Sequence, residues 1–279
     1  MLRSKSINFT KMVASGNDFV VIDNLAGNYQ MPSPKWAGPA RKICDRKYGA
    51  GADGLLILEE SVNADVRMRI FNPDGSEAEM CGNGARCCAK YYSYNLSTVS
   101  GKEIRIETKS GVLEAAVSGD TVKLKMSNPH SIKLNLRLPV ASCQLPVNFI
   151  NTGVPHAVIF VDDLEKADVY KLGKAIRNSK AFAPLGTNVD FVKVLGKDGI
   201  RVRTYERGVE AETLACGTGC VASAIIYALQ RDVKFCTINV RTRSGEVLKV
   251  SFDKKGGGFT NVFLEGPAKI VYTGSLATA

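Results

Sequence analysis

The chain reads as an α+β protein: two pseudo-symmetric, strand-rich domains, each a curved antiparallel sheet or barrel around a central helix. Three observations predict this. The stretch Arg67 to Gly84 is laid out again from Arg201 to Gly219, and both copies end in Cys-Gly-x-Gly. Most other segments alternate apolar and polar residues with period two, as half-buried strands do. A helix-like segment directly follows each Cys-Gly-x-Gly.

The duplication extends beyond the cysteines. Thr108-Lys-Ser-Gly111 follows Cys81 and Thr242-Arg-Ser-Gly245 follows Cys216, with the glycines 30 and 29 residues downstream. Upstream, the segment from Gly51 matches that from Gly186. Further back, Ser15-Gly16-Asn17-Asp18-Phe19 matches Thr152-Gly153-Val154-Pro155-His156. These landmarks predict homologous halves at 1–130 and 147–279, joined by a crossover linker at 131–146 that is rich in proline.

Taken in order, Pro34 to Lys47 reads as a helix. Val66, Met68 and Ile70 alternate with Arg67 and Arg69, which predicts a strand. A helix at about 84–95 follows the first motif. Ile104-Arg-Ile-Glu-Thr and the alternation of Val122, Leu124 and Met126 predict further strands. In the second half, Leu164 to Asn178 reads as a helix, Ile200 to Arg203 as a strand, 218–230 as a helix and Val247-Leu-Lys-Val as a strand. The helix at 218–230 is apolar nearly all round, which predicts burial inside its domain. Clusters of Gly, Asp, Asn and Ser at 72–76, 118–120 and 254–258 supply turns.

Composition narrows the function. The chain has 279 residues, room for two domains with their own cores, and its 45% hydrophobic and 23% charged content is that of a globular protein. No signal-peptide pattern and no run of about 18 apolar residues is present, so a cytoplasmic chain with no membrane span is expected. Its eight cysteines are then expected to be reduced. The net charge of +10 comes without a basic run or a recognisable nucleic-acid motif, so no nucleic-acid partner is expected. Neither the cysteine spacing nor the two histidines, His130 and His156, suits a structural zinc site, and no metal is expected. P-loop, Rossmann and Gly-x-Ser-x-Gly signatures are absent.

A thiol at a helix N-terminus has chemistry of its own. Only the thiolate is a base, and unpaired backbone N–H groups together with the helix dipole favour an anion there. The adjacent glycines let a ligand approach the backbone, and the same N–H groups can hold a carboxylate. Two such thiols, Cys81 and Cys216, could face one carbon in a cleft between the domains, one removing a proton and the other returning it. That is cofactor-independent racemisation or epimerisation. Cys44, Cys87, Cys88, Cys143, Cys220 and Cys236 lack this context and read as small buried residues.

Together the motifs resemble those of the diaminopimelate epimerases, within the proline-racemase-like, PLP-independent isomerases. The resemblance is carried by Ser15-Gly-Asn-Asp-Phe19, Gly51-Ala-Asp-Gly54, Phe71 through Arg86, Pro155-His156, Asn188-Val-Asp-Phe191, and Tyr205-Glu-Arg-Gly208 through Ala215-Cys-Gly-Thr-Gly219. It implies interconversion of LL- and meso-2,6-diaminopimelate, a late step toward lysine and peptidoglycan cross-links, with no cofactor. It further implies that Cys81 and Cys216 are the acid/base pair, and that the N–H groups of Gly82, Asn83, Gly217 and Thr218 hold the reacting-end carboxylate. Asn72, Asn188, Glu206 and Arg207 would grip the distal end of a small amino-acid substrate. Asn17 and His156 would line the pocket.

Each of these residues also has a plainer reading: His156 as a structural histidine, Asn72 and Asn188 as turn residues, Glu206 and Arg207 as a surface ion pair. Two departures from the family pattern stand out. Val154 replaces the usual Asn before Pro-His, and six residues, Val209 to Leu214, separate Glu-Arg-Gly from Ala-Cys where five are usual. Loss of the Asn predicts relaxed specificity at the distal end. Two alternatives remain at this stage, a racemase of glutamate or a proline-like amino acid, and a non-enzymatic thiol redox protein. Proline offers Glu206 and Arg207 no distal group to grip. A monomer or a homodimer fits equally.

Overall fold

The computed structural model describes residues 6–27, 29, 36–95, 103–138, 146–231, 237–255 and 258–277. Two compact units are present: Met1–Leu124 with Gly266–Ala279, and Lys125–Glu265.

The first unit begins with β1 (Ser6–Ala14), β2 (Asn17–Asp23), α1 (Ala37–Cys44), β3 (Gly54–Glu59) and β4 (Val66–Phe71). It continues through β5 (Glu77–Ala78), α2 (Gly82–Asn95), β6 (Ile104–Thr108), β7 (Gly111–Ser118) and β8 (Thr121–Lys125). The second opens with β9 (His130–Leu136) and then repeats that order. Its elements are β10 (Val147–Asn151), β11 (Pro155–Phe160), α3 (Val169–Arg177), β12 (Asn188–Val194), β13 (Gly199–Glu206), β14 (Ala211–Thr213), α4 (Gly217–Gln230), β15 (Thr237–Arg241), β16 (Val247–Lys255) and β17 (Gly258–Pro267). Pairings repeat as well: β3 with β4 matches β12 with β13, and β6 with β7 matches β15 with β16. Even the backbone repeats, since Gly16, Gly51 and Gly111 have positive φ, and so do Gly153, Gly186 and Gly245.

Three expectations need correction. The sheets are mixed rather than antiparallel: β2 runs parallel to β3, β4 to β6, β11 to β12 and β13 to β15. A helix lies within each of these four connections, and a crossover of that length returns the chain to the same end of the sheet. Second, the expected linker at 131–146 is partly strand. β9 pairs with β10 inside the second unit, while the C-terminal strand Lys269–Ala277 pairs with β1 inside the first. The linker strand thus joins the second unit and the C-terminal strand joins the first, and they cover backbone N–H and C=O groups along β10 and β1. This is why the units do not divide at residue 130. Residues 139–145 lie outside the described residues. Third, the outer helices are shorter than expected. α1 spans Ala37–Cys44, with 34 and 35 outside the described residues. α3 starts at Val169, where the Asp168 carboxylate caps it by accepting the Lys171 N–H at 3.0 Å.

Alternation along the strands builds two layers on each sheet. In the first unit, Val20, Ile22, Leu55, Ile57 and Phe71 pack with Trp36, Ala40 and Ile43 from the α1 side. The opposite face carries α2, which touches β1, β2, β3, β4, β6 and β7. In the second unit, Ala157, Ile159, Val189, Phe191 and Tyr205 pack with Val169 and Ile176 of α3. There α4 is the central helix, buried on every face from Gly217 to Ala228 as its apolar sequence predicts.

Candidate active site

Both predicted thiols stand at the start of a central helix. The Cys81 carbonyl accepts the Ala85 N–H at 2.8 Å, and the Cys216 carbonyl accepts the Cys220 N–H at 2.9 Å. Each cysteine therefore occupies the N-cap position, with the first-turn N–H groups beyond it lacking intrahelical acceptors. The Gly84 N–H points at Cys81 Sγ from 3.5 Å. A Cβ on Gly82 would meet nothing within 4 Å, so the backbone there is open to a ligand.

In the first unit, Asn17 and Asn83 are brought together. Asn83 Nδ2 donates to Asn17 Oδ1 at 2.5 Å, and Asn17 Nδ2 donates to Asp53 at 3.3 Å. Asn83 is itself held by Arg86, a fully buried guanidinium that also donates to Ser15 Oγ at 2.8 Å and to the Pro267 carbonyl at 2.9 Å. Asn72 is exposed at the start of the 72–76 turn, where its side chain donates to Ser76 Oγ at 2.9 Å.

In the second unit, β11, β12 and β13 place one set of side chains toward α4. His156 pairs in register with Asn188, and Asp190 pairs with Thr204. Paired residues share a face and every second residue returns to it, so His156, Asn188, Asp190, Thr204 and Glu206 form one polar row. His156 Nδ1 lies 2.7 Å from Asp190 Oδ2, and Thr204 Oγ1 donates to Asp190 Oδ1 at 2.7 Å. His156 Nε2 lies 2.9 Å from Thr218 Oγ1, which is 3.4 Å from Cys216 Sγ.

Asn188 ties the start of β11 to the turn after β13, since its Nδ2 donates to the Pro155 carbonyl at 3.2 Å and its Oδ1 accepts the Arg207 N–H at 2.8 Å. An amide so placed keeps one N–H and one lone pair for other use. Arg207 Nη1 donates to the Leu185 carbonyl at 3.2 Å. The lengthened loop after Arg207 is pinned by Glu210, which takes φ 57° and accepts from Arg177 Nε at 2.9 Å.

Electrostatics change one expectation. Burial pushes the Cys216 thiol well above its ordinary value, and the Glu206 and Asp190 carboxylates add to the effect. The hydrogen bond shared with the Thr218 hydroxyl and the one from the Gly219 N–H pull the other way and are outweighed. The helix N-terminus alone therefore does not make Cys216 a thiolate. Burial also raises the Glu206 carboxyl.

Of the six cysteines expected to be inert, Cys44, Cys87, Cys88 and Cys220 are buried, and Cys143 and Cys236 lie outside the described residues. Sequence reasoning missed Asp190, Thr204, Asp53 and Arg86 as parts of these networks. The signal for Asp190 was present: a carboxylate within the otherwise apolar run Val189–Val192 needs buried partners. Among the described residues no metal-binding cluster of His, Cys, Asp and Glu occurs.

Comparison with known proteins decides the family. The family model described as diaminopimelate epimerase matches residues 9–132 and 148–271. The chain belongs to the diaminopimelate epimerase family. It is an isomerase. The diaminopimelate epimerase of Aquifex aeolicus is 44% identical, with 97% of this chain and 98% of that protein covered. The diaminopimelate epimerase of Chlorobaculum tepidum is 40% identical over 95% and 99% of the two chains. The fold of this diaminopimelate epimerase family member recurs in solved structures at low identity. A hydroxyproline epimerase from Agrobacterium vitis has a TM-score of 0.73 at 15% identity, covering 99% of this chain and 92% of that one. A PhzF-family phenazine biosynthesis protein from Bacillus anthracis has a TM-score of 0.72 at 18% identity, covering 98% and 99%.

Proposed function

We propose that this chain interconverts LL- and meso-2,6-diaminopimelate without a cofactor, using Cys81 and Cys216 as a thiolate base and a thiol acid that exchange roles with direction. One observation carries the reading: two thiols occupy the same N-cap position of two equivalent central helices, at the helix end whose backbone N–H groups suit a carboxylate. In one direction a thiolate removes the α-proton, the carbanion's charge spreads into the carboxylate held by the N–H groups of Gly82, Asn83, Gly217 and Thr218, and the other thiol protonates the opposite face. Asn17 and His156 border the reacting centre. Asn72, Asn188, Glu206 and Arg207 hold the distal amino-acid end, with Arg207 suited to a carboxylate and Glu206 to an ammonium. The reaction belongs in the cytoplasm, where thiols stay reduced. Val154 removes one hydrogen bond from the distal end and relaxes selection there.

The test is proton NMR of LL-diaminopimelate in D2O with reduced protein and no added cofactor. Loss of the α-proton signal and appearance of the meso form, both abolished in Cys81→Ala and in Cys216→Ala, is the expected result. Conversion that survives either substitution would refute the two-thiol reading.

A further inference from the structure

The two copies of the fold differ at the floor beneath their thiols. Register aligns them residue by residue: Phe19 pairs with Gly54 as His156 pairs with Asn188, and Leu56 pairs with Ile70 as Asp190 pairs with Thr204. His156, Asp190 and Thr204 therefore stand where the first unit has Phe19, Leu56 and Ile70. The glycines confirm the match. A Cβ on Gly84 would meet Leu56 and Ile70, whereas a Cβ on Gly219 would meet Asp190 and His156. Cys81 stands over an apolar floor and Cys216 over a buried polar chain.

We infer that Asp190, His156 and Thr218 form a one-sided proton relay for Cys216, with Asp190 as the positioning residue that sets its direction. The inference rests on Cys216 being one of the two reacting thiols. Asp190 is fully buried and, with Oδ1 occupied by the Thr204 hydroxyl, turns Oδ2 to His156 Nδ1. A carboxylate only accepts, so Nδ1 carries the imidazole proton and Nε2 is left as an acceptor. Thr218 then donates its hydroxyl proton to Nε2, and its oxygen is free to accept the Cys216 S–H. Transfer along the chain breaks S–H and the Thr218 O–H, and forms a new Thr218 O–H and Nε2–H. It leaves thiolate and imidazolium, with no proton lost to solvent. Glu206, Asp190 and Cys216 are the titratable groups facing His156 from β13, β12 and α4. Burial opposes a lone thiolate at this position, and the relay provides the compensating positive charge next to it.

The test combines a direct reading of the imidazole with kinetics. The chain has two histidines, so in a His130→Gln background 15N NMR reports His156 alone. The expected spectrum shows Nδ1 protonated and Nε2 bare in the wild type, and the reverse in Asp190→Asn, whose amide can donate to Nδ1. Turnover in Asp190→Asn should fall about 10²-fold with KM nearly unchanged, because a proton transfer and not a substrate contact is lost. The pH at which Cys216 is alkylated should rise. Thr218→Val should reproduce these kinetic effects without disturbing the carboxylate, and Thr218→Ser should recover most of the loss. A wild-type spectrum with Nε2 protonated would overturn the relay, as would full turnover in Thr218→Val or in a folded Asp190→Asn. Absence of α-proton exchange by the wild type would strike the proposed reaction instead, and the tautomer would still decide the direction of the chain.

Discussion

Gly219 and Asp190 are in such close approach that no side chain fits between them: a Cβ on Gly219 would lie 2.4 Å from Asp190 Oδ1. The equivalent Cβ on Gly84 would lie 3.2 Å from Leu56 Cδ2, the end of a flexible side chain. Gly219→Ala must therefore move a buried carboxylate or the helix, whereas Gly84→Ala asks Leu56 to shift by tenths of an ångström. Overpacking costs about 1–3 kcal/mol, and the better helix propensity of Ala returns up to about 1 kcal/mol. Urea unfolding is expected to show Gly219→Ala as clearly destabilised and Gly84→Ala as near neutral. Equal losses in the two variants would contradict the packing described.

Alkylation should separate the thiols. Among the described cysteines Cys81 alone is only partly buried; the other five are buried. Burial pushes Cys44 up to about 11 and also raises Cys88 and Cys216. A short iodoacetamide pulse at neutral pH on the folded protein, read by peptide mass spectrometry, should label Cys81 first among these six. Labelling of Cys44 at the same rate would show that burial is not what governs reactivity here.

Acid should weaken the first unit through Asp18. Burial pushes its carboxyl up, but hydrogen bonds from Arg46 and Lys11 and the Lys11 charge outweigh it and hold the group well below the usual carboxylate range. With the folded-state value depressed, the stabilisation is complete above the unfolded-state value of about 4 and is lost as pH falls through the folded-state value. Asp18→Asn should cost about 1–3 kcal/mol at neutral pH. That gap should narrow as the pH is lowered below about 4. A gap independent of pH would assign the effect to packing.

Specificity at Val154 is open to a direct trial. A hydrogen bond to a charged group contributes about 1.5–3 kcal/mol, roughly tenfold or more in selectivity. In a panel assayed for α-deuterium exchange, glutamate should exchange slowly with the wild type, and Val154→Asn should widen the preference for diaminopimelate by about that factor. Exchange confined to diaminopimelate in the wild type would end the idea.

Local chemistry was legible in the sequence. Period-two alternation marked the strands around Val66 and Ile200, the apolar run after Gly219 marked a buried helix, and two Cys-Gly-x-Gly stretches located both N-cap thiols. Such features depend on residues a few positions apart, so the chain states them wherever it folds. Pairing between distant strands is stated nowhere in any one segment. Only the tertiary structure decided that β9 pairs with β10 and that Lys269–Ala277 pairs with β1 at the opposite end of the chain, because the partner of a strand edge is set by packing that no local pattern states. It also decided that Asp190, His156 and Thr218 converge beneath Cys216, on β12, β11 and α4. The sequence alone favoured a thiolate there, from the helix N-terminus. Burial reversed that balance, since the cost of charge depends on everything packed around it and not on the residues beside it in the chain.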